Sequence, residues 1–207
     1  MLFAMVGIGI VCALLIVLTF EYTGPAIEKN KALALEKAIF QVLPNISHKA
    51  VYNITESNDL VLAEAESEEA QVVYAGYNDQ NELVGIAIEA SGLGFADVIR
   101  ILYGYDPKSQ TIIGFHVLES KETPGLGDEV KNPKWKALWT QGKKIYNSDG
   151  LVQIKVVKGS AGDDPYAVDG LSGATITSQG VTKMLDYWMG PAGFKEFIKV
   201  QKTKGAS

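Results

Sequence analysis

The segment from Met1 to Phe20 constrains the fold of this chain more than any other. It contains no charged side chain and is dominated by Leu, Ile, Val, Ala and Gly. A helix of about 20 such residues is long enough to cross the hydrocarbon layer of a membrane, which is roughly 30 Å thick. A basic leading segment and a small-x-small cleavage site, both typical of a secretory signal peptide, are not evident before Glu21. The sequence therefore predicts a retained transmembrane helix over residues 1–22.

The composition of the whole chain narrows the possible functions. With 207 residues, 47% of them hydrophobic, the chain is long enough for one domain of ordinary size beside the anchor. The formal net charge is −5 and no Lys/Arg cluster occurs, which argues against nucleic-acid binding. The single cysteine, Cys12, lies in the predicted anchor, so neither a disulfide framework nor a thiolate metal site can form. His48 and His116 lack the ligand spacing of a metal site, and no metal is predicted.

Downstream of the anchor the sequence changes character twice. The run Ala26 to Leu43 is rich in Ala, Leu, Lys and Glu, which favours a helix, and Pro44 ends it. The polar, acidic stretch 45–69 predicts irregular structure. The predicted parts are thus a transmembrane helix (1–22), a linker helix with an irregular segment (23–70) and a domain (71–207).

The predicted domain is of the α+β class. β-type runs separated by turn residues predict two antiparallel hairpins, Val72–Tyr77 with Leu83–Glu89 and Val98–Tyr105 with Thr111–Leu118. We also expect a helix over 134–141 that covers the sheet, a strand over 154–157 and helices over 178–189 and 194–200. Strands grouped in hairpins with flanking helices favour α+β over alternating βαβ units. No G-x-G-x-x-G follows a predicted strand, so no dinucleotide site of the Rossmann type is predicted.

One short segment, Asp169-Gly-Leu-Ser-Gly-Ala-Thr-Ile-Thr177, suits a ligand turn. Gly170 and Gly173 permit a tight turn and a close approach to the backbone. A helix is predicted to begin near Thr177 or Ser178, because apolar side chains then recur at helical spacing at Val181, Met184, Leu185 and Trp188. Its free N–H groups would favour a phosphate. Local physics leaves a second interpretation open, in which Asp-Gly is an ordinary turn and the hydroxyl residues cap a helix.

These residues resemble the D-G-[aliphatic]-[ST]-G-A-T-x-[ST] signature of proteins that carry FMN covalently through a phosphoester to threonine. The resemblance implies that Thr175 is the FMN acceptor. It also implies that a flavin transferase splits FAD and leaves FMN on the hydroxyl, so that Thr175 is an attachment site and the chain has no catalytic residue of its own. The other cofactor-binding residues implied by this motif are Asp169, Ser172, Gly173 and Ala174.

A second segment, Glu122-Thr-Pro-Gly-Leu-Gly127, resembles the other hallmark of these FMN-binding domains. Proline fixes its own φ while the two glycines free theirs, which favours a rigid bend with one projecting apolar side chain. The resemblance implies that Glu122, Thr123 and Leu126 lie beside the isoalloxazine, and that Gly125 and Gly127 allow close contact.

Two smaller features accompany these motifs. Gly92 to Phe95 resembles the glycine-aromatic turn before the second hairpin of FMN-binding domains. Lys158 follows a predicted strand and precedes the attachment motif, and the resemblance implies that its ammonium pairs with the FMN phosphate or a ring oxygen. The alternative for Lys158 is a solvated surface lysine.

The order of anchor, linker helix and the two motifs resembles the G subunit of the Rnf complex, an ion-translocating ferredoxin:NAD⁺ oxidoreductase. The related C subunit of sodium-pumping NADH:quinone oxidoreductase shares both motifs, and the short region between anchor and first strand favours Rnf. The resemblance implies an electron-relay subunit of a redox translocase, not catalytic alone. Its expected location is the bacterial inner membrane, with the flavin domain on the periplasmic side. Its expected partners are the covalent-flavin D subunit and the iron-sulfur-bearing A and E subunits of the Rnf complex.

Two other classes of function stay open at this point. A stand-alone membrane-anchored flavin carrier would retain flavin when purified alone and turn over with a soluble donor. An anchored binding or scaffold module, in which the S-G-A-T turn is only structural, predicts no covalent flavin.

Overall fold

The computed structural model describes residues 2–54, 60–62 and 71–189. The chain divides into two compact units, of which the first ends at Lys37 and the second begins at Ala38. The helices and strands, in chain order, are α1 (Leu2–Val42), β1 (His48–Ile54), β2 (Leu60–Leu62), β3 (Gln71–Tyr77), β4 (Leu83–Leu93), β5 (Val98–Asp106), β6 (Thr111–Glu119), α2 (Pro133–Trp139), β7 (Lys155–Val157), β8 (Ala167–Asp169) and α3 (Thr175–Met189). A short 3-10 helix, Gly127–Lys131, precedes α2.

Helix α1 runs without interruption for 41 residues and contains Pro25. The sequence predicts two helices here, whereas the structure joins them. Proline removes one backbone hydrogen bond and can bend a helix, but the next turn can continue. Among the described residues, only α1 is both long and apolar enough to cross a membrane. The apolar side chains between Phe3 and Phe20 are exposed, which is the pattern expected of a segment that faces lipid.

The second unit is built on a six-stranded sheet in the order β2-β1-β3-β4-β5-β6. All neighbouring strands are antiparallel, and both predicted hairpins form, as β3–β4 and β5–β6. The prediction of irregular structure over 45–69 is wrong for His48–Ile54, which is β1, and for Leu60–Leu62, which is β2. Strand β1 pairs along its whole length with β3, from His48 opposite Tyr77 to Ile54 opposite Gln71. Pairing with β3 stabilises this strand, and the composition of the stretch 45–69 as a whole does not report that pairing.

One face of the sheet carries an aromatic core. The Phe115 and Trp139 rings stack with centroids 4.9 Å apart, and Trp135 meets Trp139 edge-on at 5.4 Å. Tyr103 of β5 and Leu185 of α3 are fully buried in the same cluster. The prediction that the segment 134–141 forms a helix covering the sheet is therefore confirmed, with α2 spanning Pro133–Trp139.

The last turn of α1 packs on the opposite face of the sheet. Gly104 and Gly114 lie directly opposite each other on β5 and β6. A Cβ atom at either position would lie less than 3.0 Å from the carbonyl oxygen of Val42. Since alternate residues of a strand face opposite sides, these glycines admit the helix end while Tyr103 points into the core. Val42 and Leu43 are buried as a result.

A small parallel sheet leads into the attachment motif. In this sheet β7 pairs with β8, and Val157 lies opposite Asp169. The chain then turns and enters α3, which begins at Thr175, earlier than the predicted start near Thr177 or Ser178. The predicted final helix over 194–200 lies outside the described residues.

Candidate functional site

The two motifs of the sequence meet at one cleft of about 410 Å³. One wall comes from the loop that follows β6, the Glu122–Gly127 loop. The other wall comes from the end of the attachment segment (Asp169–Ala174) and the first turn of α3. The residues that line the cleft are Phe95, Glu122, Thr123, Leu126, Gly127, Gly173, Ala174, Thr175, Ile176 and Thr177.

A buried carboxylate joins the two walls. Oε2 of Glu122 accepts a hydrogen bond from the Thr177 hydroxyl at 2.7 Å. Oε1 accepts from the backbone N–H groups of Ala96 at 2.9 Å and Asp97 at 3.3 Å. Glu122 is only 5% exposed. These residues, Glu122 with Thr177, Ala96 and Asp97, form what we call the Glu122 junction, which binds the turn between β4 and β5, the Glu122–Gly127 loop and α3 together.

The hydrogen bonds of the Glu122 junction keep its carboxylate ionised. Burial by itself raises the pKa of Glu122, because it disfavours the charged form. The bonds from Thr177 and from the backbone of Phe95, Ala96 and Asp97 lower it, and together they outweigh burial, so the pKa lies below its ordinary value. A carboxylate held in this way is a charged acceptor, whose hydrogen bonds are stronger than neutral ones.

The Glu122–Gly127 loop is stabilised mainly by bonds within itself and to its neighbour Asp128. The carbonyl of Thr123 accepts from the N–H groups of Leu126 at 3.1 Å and Asp128 at 3.3 Å. The Asp128 carboxylate accepts from the Gly125 N–H at 2.7 Å. Gly125 adopts a φ of 73°, which favours glycine. The resulting bend leaves the Leu126 side chain 46% exposed and lining the cleft.

The attachment segment is held by bonds to neighbouring elements. The Asp169 carboxylate accepts from the Ala161 N–H at 2.6 Å, and its backbone carbonyl accepts from the indole N–H of Trp135 at 2.8 Å. The Leu171 N–H donates to the Ser178 hydroxyl at 3.0 Å. Gly173 has a φ of 77°, so a side chain there would be strained as well as close to the neighbouring Leu126.

Thr175 is the first residue of α3 and lines the cleft half-buried. The first helical hydrogen bond runs from the Ser178 N–H to the Ala174 carbonyl at 3.0 Å. The amide groups of the first turn have no partner inside a helix, and together with the helix dipole they attract an anion. The Thr175 hydroxyl therefore lies where a phosphate group is favoured.

The structure brings most of the expected cofactor-binding residues into the cleft. Those that line it are Glu122, Thr123, Leu126, Gly127, Gly173, Ala174 and Thr175. Four others do not line it. Ser172, Gly125 and Lys158 are exposed, Lys158 just beyond the end of β7, and Asp169 ends β8 behind the attachment segment. Contacts of all these residues with FMN stay predictions.

Sequence reasoning left three lining residues out of the site. Thr177 is fully buried and reaches Glu122 in the other motif. Its signal was present, because the signature ends on a hydroxyl residue at this position. Phe95 and Ile176 are 71% and 57% exposed at the cleft. Phe95 had a signal in the sequence, because it ends the glycine-aromatic turn that resembles FMN-binding domains. The exposure of Ile176 beside the cleft is a signal that only the folded chain supplies.

Comparison with known proteins shows what this region is similar to. The family described as the FMN-binding domain matches residues 94–190. The chain is 37% identical over 128 residues to the C subunit of the Na⁺-translocating NADH-quinone reductase of Yersinia pestis, covering 61% of this chain and 48% of that protein. It is 41% identical over 128 residues to the corresponding protein from Vibrio alginolyticus, covering 61% of this chain and 49% of that protein. The chain thus spans about half the length of the curated relatives it matches.

A solved structure shares the fold. The crystal structure of NqrC from Shewanella oneidensis aligns with a TM-score of 0.67 at 24% identity, covering 81% of this chain and 88% of that chain. The predicted arrangement of an apolar N-terminal helix followed by an antiparallel sheet domain with flanking helices is therefore confirmed. The segment that matches the FMN-binding domain family, residues 94–190, contains both motifs and every residue that lines the cleft. Residues 94–190 are similar to the FMN-binding domain family.

Proposed function

We propose that this chain is an electron-relay subunit of a membrane-bound, ion-translocating NADH oxidoreductase complex and carries FMN on Thr175. The observation that carries the proposal is the meeting of the two motifs. The attachment segment and the Glu122–Gly127 loop are distant in sequence, yet both line one cleft with Thr175 in it. That cleft lies within the segment that matches the FMN-binding domain.

The residues of the cleft fit a flavin mononucleotide. A volume of about 410 Å³ lies in the ordinary range for cofactor pockets, roughly 300–1,000 Å³. Leu126, Phe95 and Ile176 present apolar surface suited to a planar ring, and the first turn of α3 presents amide groups suited to a phosphate. A Cβ at Gly173 would lie 3.1 Å from the Leu126 side chain, so glycine at this position leaves the cleft free of a further side chain.

Attachment is a phosphoryl transfer onto the Thr175 hydroxyl. The oxygen of Thr175 forms a bond to the phosphorus of the FMN half of FAD, the bond to the bridging oxygen breaks, and AMP leaves. The hydroxyl proton passes to a base of the flavin transferase, because threonine is a weak nucleophile at its own pKa. The oxidation state of the flavin does not change in this step. Thr175 is half-buried and lines the cleft, which is where such an enzyme would have to reach it.

Bound FMN would supply electron transfer, and the chain's own residues would hold and shield it. Leu126 and Ile176 would exclude water from the ring, and Ser172 and Asp169 would support the turn beneath the phosphoester. Exposed Lys158 would reach the phosphate or a ring oxygen from the end of β7. Covalent attachment removes the need for the cleft to bind flavin against dilution, so its shape can serve orientation and potential.

The named relatives favour a complex of the sodium-pumping NADH:quinone reductase type, with this chain as its C-type subunit. The G subunit of the Rnf complex is the second candidate, because α1 ends at Val42 and β1 begins at His48, leaving only a short connection. In either complex α1 would anchor the chain in the inner membrane, with the flavin domain on the periplasmic side. The partners would be the other membrane subunits, including the flavin- and iron-sulfur-bearing ones.

In-gel flavin fluorescence after full denaturation tests the proposal. The full chain is co-expressed with a flavin transferase and compared with Thr175→Ala, with Thr177→Ser as a control that keeps a hydroxyl two residues away. Fluorescence in the parent and the control but not in Thr175→Ala supports attachment at Thr175. Absence of fluorescence from all three would remove the proposal and leave the motif as a helix-capping turn.

Isolation of the native membrane complex separates the two candidates and the stand-alone carrier. A chain that co-purifies with NADH:quinone reductase activity supports the C-type assignment. Ferredoxin:NAD⁺ activity in the same preparation supports the Rnf assignment. A chain that purifies alone with its flavin and turns over with a soluble donor would overturn both.

A further inference from the structure

The Glu122 junction is more elaborate than a cofactor contact requires. Both carboxylate oxygens are already occupied by protein donors, one by Thr177 and the other by two backbone amides. Glycines flank the carboxylate, since a Cβ at Gly94 or Gly127 would lie less than 3.0 Å from one of its oxygens. The surrounding chain is therefore shaped around this one group.

We propose that Glu122 is a positioning residue that fixes the distance between the Glu122–Gly127 loop and the first turn of α3. It thereby presents the Thr175 hydroxyl to the transferase and holds the attached ring in one orientation. This inference rests on the proposed attachment of FMN to Thr175. It differs from the expectation that Glu122 acts on the isoalloxazine directly.

The geometry favours positioning over direct contact. Glu122 is 5% exposed, and its Oε2 is 2.7 Å from the Thr177 hydroxyl. Thr177 is fully buried, whereas Thr175 is half-buried and Ile176 is exposed at the cleft. A bond from Glu122 to Thr177 therefore sets the rotation of the first turn of α3 and hence the direction of the Thr175 side chain.

A matched pair of threonine variants isolates this bond. Thr177→Val removes the hydroxyl with almost no change in shape. Thr182→Val makes the same substitution in the same helix, where the hydroxyl of a buried threonine donates only to the Gln179 carbonyl at 2.9 Å. Thr177→Ser keeps the hydroxyl and is the rescue variant. Glu122→Gln keeps an acceptor for Ala96 and Asp97 and removes the charge.

Two measurements are made on each full-length chain. The first is the initial rate of flavin incorporation by the transferase, followed by fluorescence of denatured samples. The second is the visible circular dichroism of the attached flavin in the folded chain, which reports the orientation of the ring. Near-ultraviolet circular dichroism of the buried Trp135 and Trp139 shows in parallel that each variant is folded.

The expected result is that Thr177→Val slows incorporation by roughly tenfold to a hundredfold, the loss typical of a misplaced reacting group. Its flavin circular dichroism should weaken. Thr177→Ser and Thr182→Val should match the parent in both measurements. If Thr177→Val and Glu122→Gln both show the rate and the circular dichroism of the parent, the inference is overturned. The proposed function would still stand in that case, because the parent chain carries flavin.

Amide hydrogen exchange in a Thr175→Ala background gives a flavin-free measurement. If Glu122 positions the walls, adding Thr177→Val should speed exchange at Ala96 and Asp97 and in the first turn of α3, whereas adding Thr182→Val should not. Equal exchange in the two double variants would overturn the inference whether or not FMN is attached. If Glu122→Gln does not fold, this measurement still tests the inference, because it does not use that variant.

Discussion

The Glu122–Gly127 loop and the attachment segment form the two sides of one cleft, but they are stabilised differently. The loop is closed by bonds between near neighbours, such as Gly125 to Asp128. The attachment segment depends on elements elsewhere in the chain, with Asp169 bound to Ala161 and Trp135. The bend of the loop therefore depends mainly on local sequence. The attachment segment has one local bond, from the Ala174 N–H to the Leu171 carbonyl at 3.1 Å, but also depends on the assembled sheet and helices. The Glu122 junction connects the two.

The largest effect is expected from Gly127→Ala, which breaks the connection between the two sides. A Cβ at this position would lie less than 3.0 Å from the Glu122 side chain and 3.0 Å from the Thr177 hydroxyl. Overpacking of this kind costs about 3 kcal/mol of the free energy of unfolding. Denaturant unfolding of the full chain in detergent, followed by tryptophan emission, measures the loss.

Gly125→Ala is the matched control for that prediction. It has open space around it but a φ of 73°, so only backbone strain of about 1 kcal/mol is expected. An equal loss from the two substitutions would mean that the Glu122 junction contributes nothing beyond local backbone geometry.

Ser178→Ala tests the dependence of the attachment segment on α3. The substitution removes the acceptor of the Leu171 N–H and the donor to the Ala174 carbonyl. A buried donor left unpaired costs about 2 kcal/mol. Thermal unfolding should show a lower midpoint than Ser160→Ala, which alters an exposed turn. Equal midpoints would indicate that the segment holds its shape without α3.

Asp128→Ala tests the self-contained character of the Glu122–Gly127 loop. It removes the carboxylate that accepts from Gly125 at 2.7 Å. Because the site is partly solvated, a loss of about 1 kcal/mol is expected. Hydrogen exchange should speed up within the loop and stay unchanged at Leu171 and Ala174. Asp163→Ala in another exposed turn is the control, and faster exchange at Leu171 would contradict the separation of the two sides.

The smallest effect is a pH dependence from Glu122. Its pKa is lower in the folded chain than in the unfolded chain, so its contribution is present above the ordinary carboxyl pKa and lost as the pH falls through the folded value. Charged neighbours are Asp97, paired with Lys121 at 3.6 Å, and Asp128 in the loop. As the pH falls below the ordinary carboxyl pKa and through the lower folded value, the parent should lose more stability than Glu122→Gln. Parallel pH profiles would contradict the stabilising role of the charge.

Much of the fold could be predicted because it is encoded locally. The hairpins β3–β4 and β5–β6 follow from alternating strands and turn residues, and α2 follows from tryptophans at helical spacing. The strand β1 could not be predicted, since its stability comes from pairing with β3. The continuity of α1 through Pro25 was missed because proline usually ends a helix, and here it does not.

In the candidate site, too, some features could be predicted from local sequence and others could not. The resemblance of the two motifs to FMN-binding domains predicted Thr175, Leu126 and Gly173 as site residues, and all three line the cleft. Their contacts with FMN stay predictions. The role of Thr177 as partner of Glu122 was not visible, because the two residues are far apart in sequence. The early start of α3 at Thr175 was missed as well, since small residues carry little periodic signal.

The sequence by itself determined the apolar helix, the antiparallel hairpins and the motif that marks Thr175, because charge, periodicity and turn chemistry act between near neighbours. Only the tertiary structure decided that the last turn of α1 packs on Gly104 and Gly114 and that Glu122 joins both walls of the cleft. These features depend on distances between distant segments. Such distances are fixed when the strands form their backbone hydrogen bonds and the helices bury their apolar faces against the sheet.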